Sequence, residues 1–238
     1  RAVQLGQQLG KQVIVVKDGP GFYTTRALAF FLAEAIEILN EGNAIEHIDH
    51  ALTQFGFPVG PITLIDEVGI DVGVHVLETM VQSFPSRATM PDNLDVITHS
   101  GRLGRKNEKG FYRYHAGKKK GVDTGIYDLI KITPEKKLPE QNIAERCTLL
   151  FVNECVRCLE DGILRSAYDG DVGAVFGLGF PPFWGGPFKY VDLVGAKKVV
   201  EKLFNLSKTY GDRFQPAERL QQMAAEEQAF FPQESRPG

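Results

Sequence analysis

Only a few residues of this 238-residue chain are typed and spaced for chemistry. His47 and His50 lie three apart, a spacing at which two imidazoles on one helix face can share a metal ion, but no third ligand is evident and two exposed polar residues are the plainer reading. His75, His99 and His115 are scattered, so no histidine makes a case as a base. Cys155 and Cys158 form a Cys-x-x-Cys pair, yet no strand precedes them as a redox motif requires. With Cys147 they read as free buried thiols of a reducing compartment. Glu34 and Glu154 each interrupt an apolar helical stripe, where a carboxylate is costly unless hydrogen-bonded. They are general acids or bases with shifted pKa, or structural acceptors of backbone N–H groups in an adjoining turn or helix start; the structural role is expected.

The elements that would position these residues occur twice. Phe31, Glu34, Leu39 and Gly42 recur as Phe151, Glu154, Leu159 and Gly162, and Gly56-Phe57-Pro58 recurs as Gly179-Phe180-Pro181. Gly60-Pro61, Asp66 and Gly69 then match Gly186-Pro187, Asp192 and Gly195. Order is kept and the offset changes only in turn-like stretches, the pattern of a tandem repeat. Three-and-four apolar spacing predicts helices over 22–41 and 46–55, and a third beginning at Pro61, where a missing N–H costs nothing. The second copy repeats them over 142–161, 169–176 and from Pro187, with closing helices over 196–210 and 217–229. The fold class is therefore mainly α, two tandem copies of one helical unit.

Two segments depart from it. Val13-Ile14-Val15-Val16 has the β-branched character of a buried strand, read as the last strand of a sheet lying upstream; Phe111–Tyr114 offers a short second strand. The expected division is 1–20 as the end of a preceding nucleotide-binding domain, 21–115 as the first helical domain, 116–140 as linker, 141–231 as the second helical domain and 232–238 as a tail. A first residue of Arg1 rather than Met reads as a piece of a longer polypeptide.

A formal net charge of -3 with mixed signs gives no basic face for nucleic acid. Lys118-Lys119-Lys120 reads as a solvated loop. No apolar stretch approaches the roughly 20 residues of a membrane span. Gly177-Leu178-Gly179 lacks the third glycine and the preceding strand of a dinucleotide fingerprint.

The most specific signal is Asp18-Gly19-Pro20-Gly21-Phe22-Tyr23-Thr24-Thr25-Arg26, a turn delivering the chain into a helix start. It resembles the Asp-x-Pro-Gly-Phe-x-x-Asn-Arg signature that opens the C-terminal domain of L-3-hydroxyacyl-CoA dehydrogenases. Phe57–Pro61 with Leu64–Asp71 resembles the next block of that family, and Gly104-Arg105-Lys106 with Lys109-Gly110-Phe111-Tyr112 the third. Val175–Pro182 and Gly185–Phe188 resemble the tandem copy in the large subunit of the fatty-acid oxidation complex.

The resemblance implies oxidation of a 3-hydroxyacyl-CoA to the 3-ketoacyl-CoA with NAD as hydride acceptor. It also implies that NAD and the catalytic histidine and glutamate belong to a part of the enzyme upstream of this sequence. This chain would then carry no catalytic, cofactor-binding or metal residue and would be inactive alone. The family's substrate-contacting asparagine falls at Thr25, and a tyrosine that contacts substrate in some complexes falls at Phe176. Both are expected substrate-binding positions, with a helix cap and core packing as their plain alternatives. The resemblance further implies an enoyl-CoA hydratase domain, a thiolase β subunit as partner, a homo-oligomer, and a place in the cytoplasm or else the mitochondrial matrix. The other readings are a pure interaction module holding thiolase and part of a related β-hydroxyacid dehydrogenase.

Overall fold

The computed structural model describes residues 1–231; the expected tail, 232–238, lies outside them. Contacts divide the chain into a central unit, Leu28–Thr148, and a terminal unit made of Arg1–Ala27 together with Leu149–Gly238.

The central unit begins inside α2 (Thr24–Asn40), whose stripe of Phe31, Ala35, Ile38 and Leu39 is fully buried. Gly42 ends it, at a φ of 94° that suits glycine. Next come α3 (Ile45–Phe55), α4 (Pro61–Val68) and α5 (Ile70–Ser83). Pro61 opens α4 as expected, and Gly69 separates α4 from α5. The Phe31 and Phe57 rings pack with centroids 4.9 Å apart, closing the turn after α3 onto α2. After α6 (Leu94–His99), strands β1 (Tyr112–His115) and β2 (Lys118–Val122) pair antiparallel. Then follow α7 (Gly125–Ile130) and the first part of α8 (Glu140–Glu160). Residues 116–140, read as connecting chain, thus contain a strand and a helix, and the lysine run lies in β2 rather than in a loop. Hydrogen bonding to β1 is what extends it.

The terminal unit takes α8 from Leu149 onward, then α9 (Ala167–Leu178), α10 (Pro187–Val194), α11 (Ala196–Tyr210) and α12 (Glu218–Glu226). Ser166 caps α9 by accepting from the Asp169 N–H at 3.1 Å. Phe151 and Phe180 repeat the Phe31–Phe57 contact at 5.4 Å. At the other end of the sequence lies α1 (Ala2–Gln8).

The mainly helical class is as expected, but Val13–Val16 is not a strand. Among the described residues no neighbouring strand offers it a ladder, and β-branched composition cannot supply one. The segment instead packs by its side chains. Ile14 lies over Gly173, where an added Cβ would come within 2.6 Å of it, and the Lys17 N–H donates to the Ile163 carbonyl at 2.9 Å.

Candidate functional site

The two repeated glutamates have definite partners. In the central unit Glu34 accepts from Arg146 Nε at 2.8 Å, and the same guanidinium reaches Glu41 at 2.9 and 2.7 Å. In the terminal unit Glu154 accepts from Arg26 Nε at 2.6 Å, with Asp161 on that guanidinium at 2.8 Å. Side-chain exposure is 4% or less for Arg26, Glu154, Arg146 and Glu34. The expected backbone N–H partners are therefore corrected to guanidinium groups, because a buried carboxylate needs a counter-charge more than a dipole. Sequence inspection lacked one comparison: Arg26 and Arg146 stand at the same spacing as Glu34 and Glu154.

The buried aspartates fasten the turns. Asp49 on α3 accepts from the Ile62 and Thr63 N–H groups at the start of α4, at 2.8 and 3.1 Å. Asp171 on α9 does the same for Phe188 and Lys189 on α10, at 2.8 and 3.2 Å. A Cβ on Gly60 or Gly186 would fall 2.3 Å from the respective aspartate, so glycine is required there. Asp66 accepts from the Phe111 and Tyr112 N–H groups, and Asp192 from those of Phe230 and Phe231. The sequence comparison paired Asp66 with Asp192 but missed that Phe230-Phe231 stands for Phe111-Tyr112. Burial drives the Asp66 carboxyl up to about 6 and that of Asp171 to about 7, against the lowering effect of the N–H donors.

Thr25 and Phe176 both belong to the terminal unit. Thr25 is exposed on the first turn of α2, inside the helix rather than at a cap position; among the described residues its hydroxyl has no hydrogen-bond partner. Phe176, near the end of α9, is 70% exposed rather than packed in the core. Their sequence neighbours meet, since a Cβ on Gly177 would lie 3.6 Å from Thr24 Cγ2. Phe176 lines a groove of about 350 Å³ with Tyr168, Asp171, Pro182, Lys189 and Phe231. A matching groove of about 530 Å³ lies in the central unit beside Asp49, under Tyr112 and Lys119.

The remaining sequence candidates do not assemble. His47 Nε2 lies 2.7 Å from the Leu138 carbonyl, and His50 is 3.7 Å from Glu140. Among the described residues no group of three histidine, cysteine, aspartate or glutamate side chains is placed to hold a metal. All three cysteines are buried thiols, and burial pushes Cys147 and Cys155 well up, away from the reactive thiolate. Tyr23 donates to the Gly170 carbonyl at 2.8 Å, with its hydroxyl 3.3 Å from Cys155 Sγ.

Residues 21–114 match the family model for the 3-hydroxyacyl-CoA dehydrogenase C-terminal domain. Over 96% of its length the chain is 52% identical to the fatty acid oxidation complex subunit alpha of Vibrio parahaemolyticus. It is 50% identical, again over 96%, to that subunit of a Shewanella species. The chain spans 32% and 33% of those two relatives. Among solved structures, 3-hydroxybutyryl-CoA dehydrogenase from Escherichia coli superposes with a TM-score of 0.75 at 21% identity, over 94% of this chain and 64% of that one. The dehydrogenase part of multifunctional enzyme 1 from C. elegans gives 0.68 at 24% identity, over 93% and 52%. At these identities the two structures speak to the fold alone.

The glycine-rich stretch at the end of α9 does not fit a dinucleotide. The Gly177-Leu178-Gly179 stretch ends α9, with Gly179 in the left-handed C-cap conformation. A helix C-terminus turns carbonyl oxygens outward, where a pyrophosphate needs N–H donors.

Proposed function

We propose that the chain is the substrate-side and assembly region of a 3-hydroxyacyl-CoA dehydrogenase in a fatty-acid oxidation alpha subunit. The full protein would convert a 3-hydroxyacyl-CoA and NAD to the 3-ketoacyl-CoA and NADH. The observation that carries this is 52% identity over 229 residues to a protein of that name. On this reading residues 1–20 close a nucleotide-binding domain, 21–115 and 141–231 are the paired helical copies, and 116–140 links them. The catalytic groups and the NAD site lie in other parts of the full protein, so the chain alone is inactive. Thr25 is the proposed hydrogen-bond donor to the acyl thioester or keto oxygen, and Phe176 its apolar neighbour; their exposure supports the assignment.

Calorimetric titration of the chain with NADH and, separately, with acetoacetyl-CoA tests this. No NADH binding, weak acyl-CoA binding and no turnover are expected. Tight NADH binding or measurable turnover would overturn it. Within the full enzyme, Thr25→Val should raise KM for the acyl-CoA about tenfold, the loss of one hydrogen bond to a bound ligand. An unchanged KM removes Thr25 from the site.

We propose a second role, assembly with a thiolase β subunit in the cytoplasm; the bacterial relatives are named as the alpha subunit of a complex, and Phe183 is 66% exposed. No described helix is long and apolar enough to cross a membrane. Co-purification with the thiolase should drop on Phe183→Ser, and equal recovery would count against that surface.

A further inference from the structure

The two copies treat equivalent buried carboxylates differently. Asp49 Oδ2 receives the Thr63 N–H at 3.1 Å, the Thr63 hydroxyl at 2.5 Å and the Tyr112 hydroxyl at 2.8 Å. Asp171 holds the same place in the second copy, and its Oδ2 receives the Lys189 N–H at 3.2 Å. Lys189 stands where Thr63 stands, and Phe231, placed by its N–H on Asp192, stands where Tyr112 stands. Both hydroxyls are thereby lost, and among the described residues no other hydroxyl replaces them on Asp171. A carboxylate accepts about four hydrogen bonds, and one that is 6% exposed has little access to bulk water.

The spare acceptor positions border the groove of about 350 Å³, whose other walls include Tyr168, Val175, Phe176, Pro182 and Phe231. A ligand of matching chemistry has an apolar, flat body and one hydroxyl donor; the first copy supplies that combination internally as the Tyr112 phenol. We propose that the second-copy groove binds a small hydroxyl-bearing aromatic molecule, its hydroxyl donating to Asp171 and its ring lying among Tyr168, Phe176 and Phe231. The groove shares Phe176 with the substrate-side reading, but that reading assigns nothing to Asp171, so the dependence on the Asp171 hydrogen bond separates the two.

The test is to titrate p-cresol and toluene into the intact chain and follow backbone amides by NMR. Above pH 8, where the Asp171 carboxyl is ionised, p-cresol should bind tenfold or more tightly than toluene, as expected for a hydrogen bond to a charged acceptor, and should shift the Phe188 and Lys189 amides. In Phe231→Tyr/Lys189→Thr both hydroxyls return to the carboxylate, so the preference for p-cresol should vanish and Tm should rise. Equal binding of the two probes, no binding of either, or a preference that survives in the folded double variant would overturn the proposal. Should the double variant fail to fold, the comparison of p-cresol with toluene in the unaltered chain still decides it.

Discussion

Removing one partner of a buried ion pair strands the other charge, and that asymmetry fixes what changes at Glu34 should do. Glu34→Gln should lower the unfolding free energy by roughly 3–5 kcal/mol in urea titrations. Glu34→Leu/Arg146→Met should recover most of the loss, since the one charge that loses a partner, Glu41, keeps Lys136 at 3.2 Å and is partly open to solvent. A Glu34→Gln protein of full stability but lost turnover would instead make the glutamate catalytic. Asp171 makes a prediction of opposite character. Its carboxyl titrates near 7 in the folded chain against an ordinary 3.8, so between those values the folded state binds the extra proton. The stability it contributes is complete below the ordinary value and is lost as pH rises through about 7. Thermal melts from pH 4.5 to 8 should therefore show Tm falling with pH, and Asp171→Asn should flatten that fall. A profile identical in the variant would show that Asp171 does not hold the proton.

Helix starts depend on close approach as much as on propensity. With a Cβ at residue 60 only 2.3 Å from the Asp49 carboxyl, Gly60→Ala must push α3 away from the first turn of α4. A cost of about 1–3 kcal/mol is expected from such overpacking, measured by chemical denaturation. Gly73→Ala, which meets nothing within 4 Å, is the control and should be neutral or mildly stabilising. The helices themselves were legible in sequence because apolar spacing and Gly/Pro punctuation are local signals: 196–210 was anticipated residue for residue, and α2 and α8 within two residues at each end. Val13–Val16 misled because composition says that a segment could pair, whereas pairing depends on a neighbour. The β1–β2 hairpin was half legible: Phe111–Tyr114 is rich in aromatic strand formers, but Lys118–Val122 carries no apolar face. The partners of Glu34 and Asp49 were not legible, since contacts between residues far apart leave no local pattern. The grooves needed coordinates for the same reason.

At the scale of the whole chain, the compact units do not coincide with the tandem copies. The central unit includes the start of α8, which carries Arg146, and the terminal unit includes the start of α2, which carries Arg26. A polypeptide of residues 21–115 alone should therefore remain largely unfolded by circular dichroism, with Glu34 deprived of its guanidinium. Adding a peptide of residues 138–160 should restore helicity, and the same peptide with Arg146→Met should not. A stable 21–115 fragment would refute this dependence. The exchange of arginines has an evolutionary consequence as well. The partners are encoded 128 and 112 codons apart, so a charge-altering mutation in one copy is best tolerated beside a compensating change in the other. The duplicated halves are thus held to a shared history: these pairs should covary across descendants, and neither half can be exchanged by recombination without its counterpart.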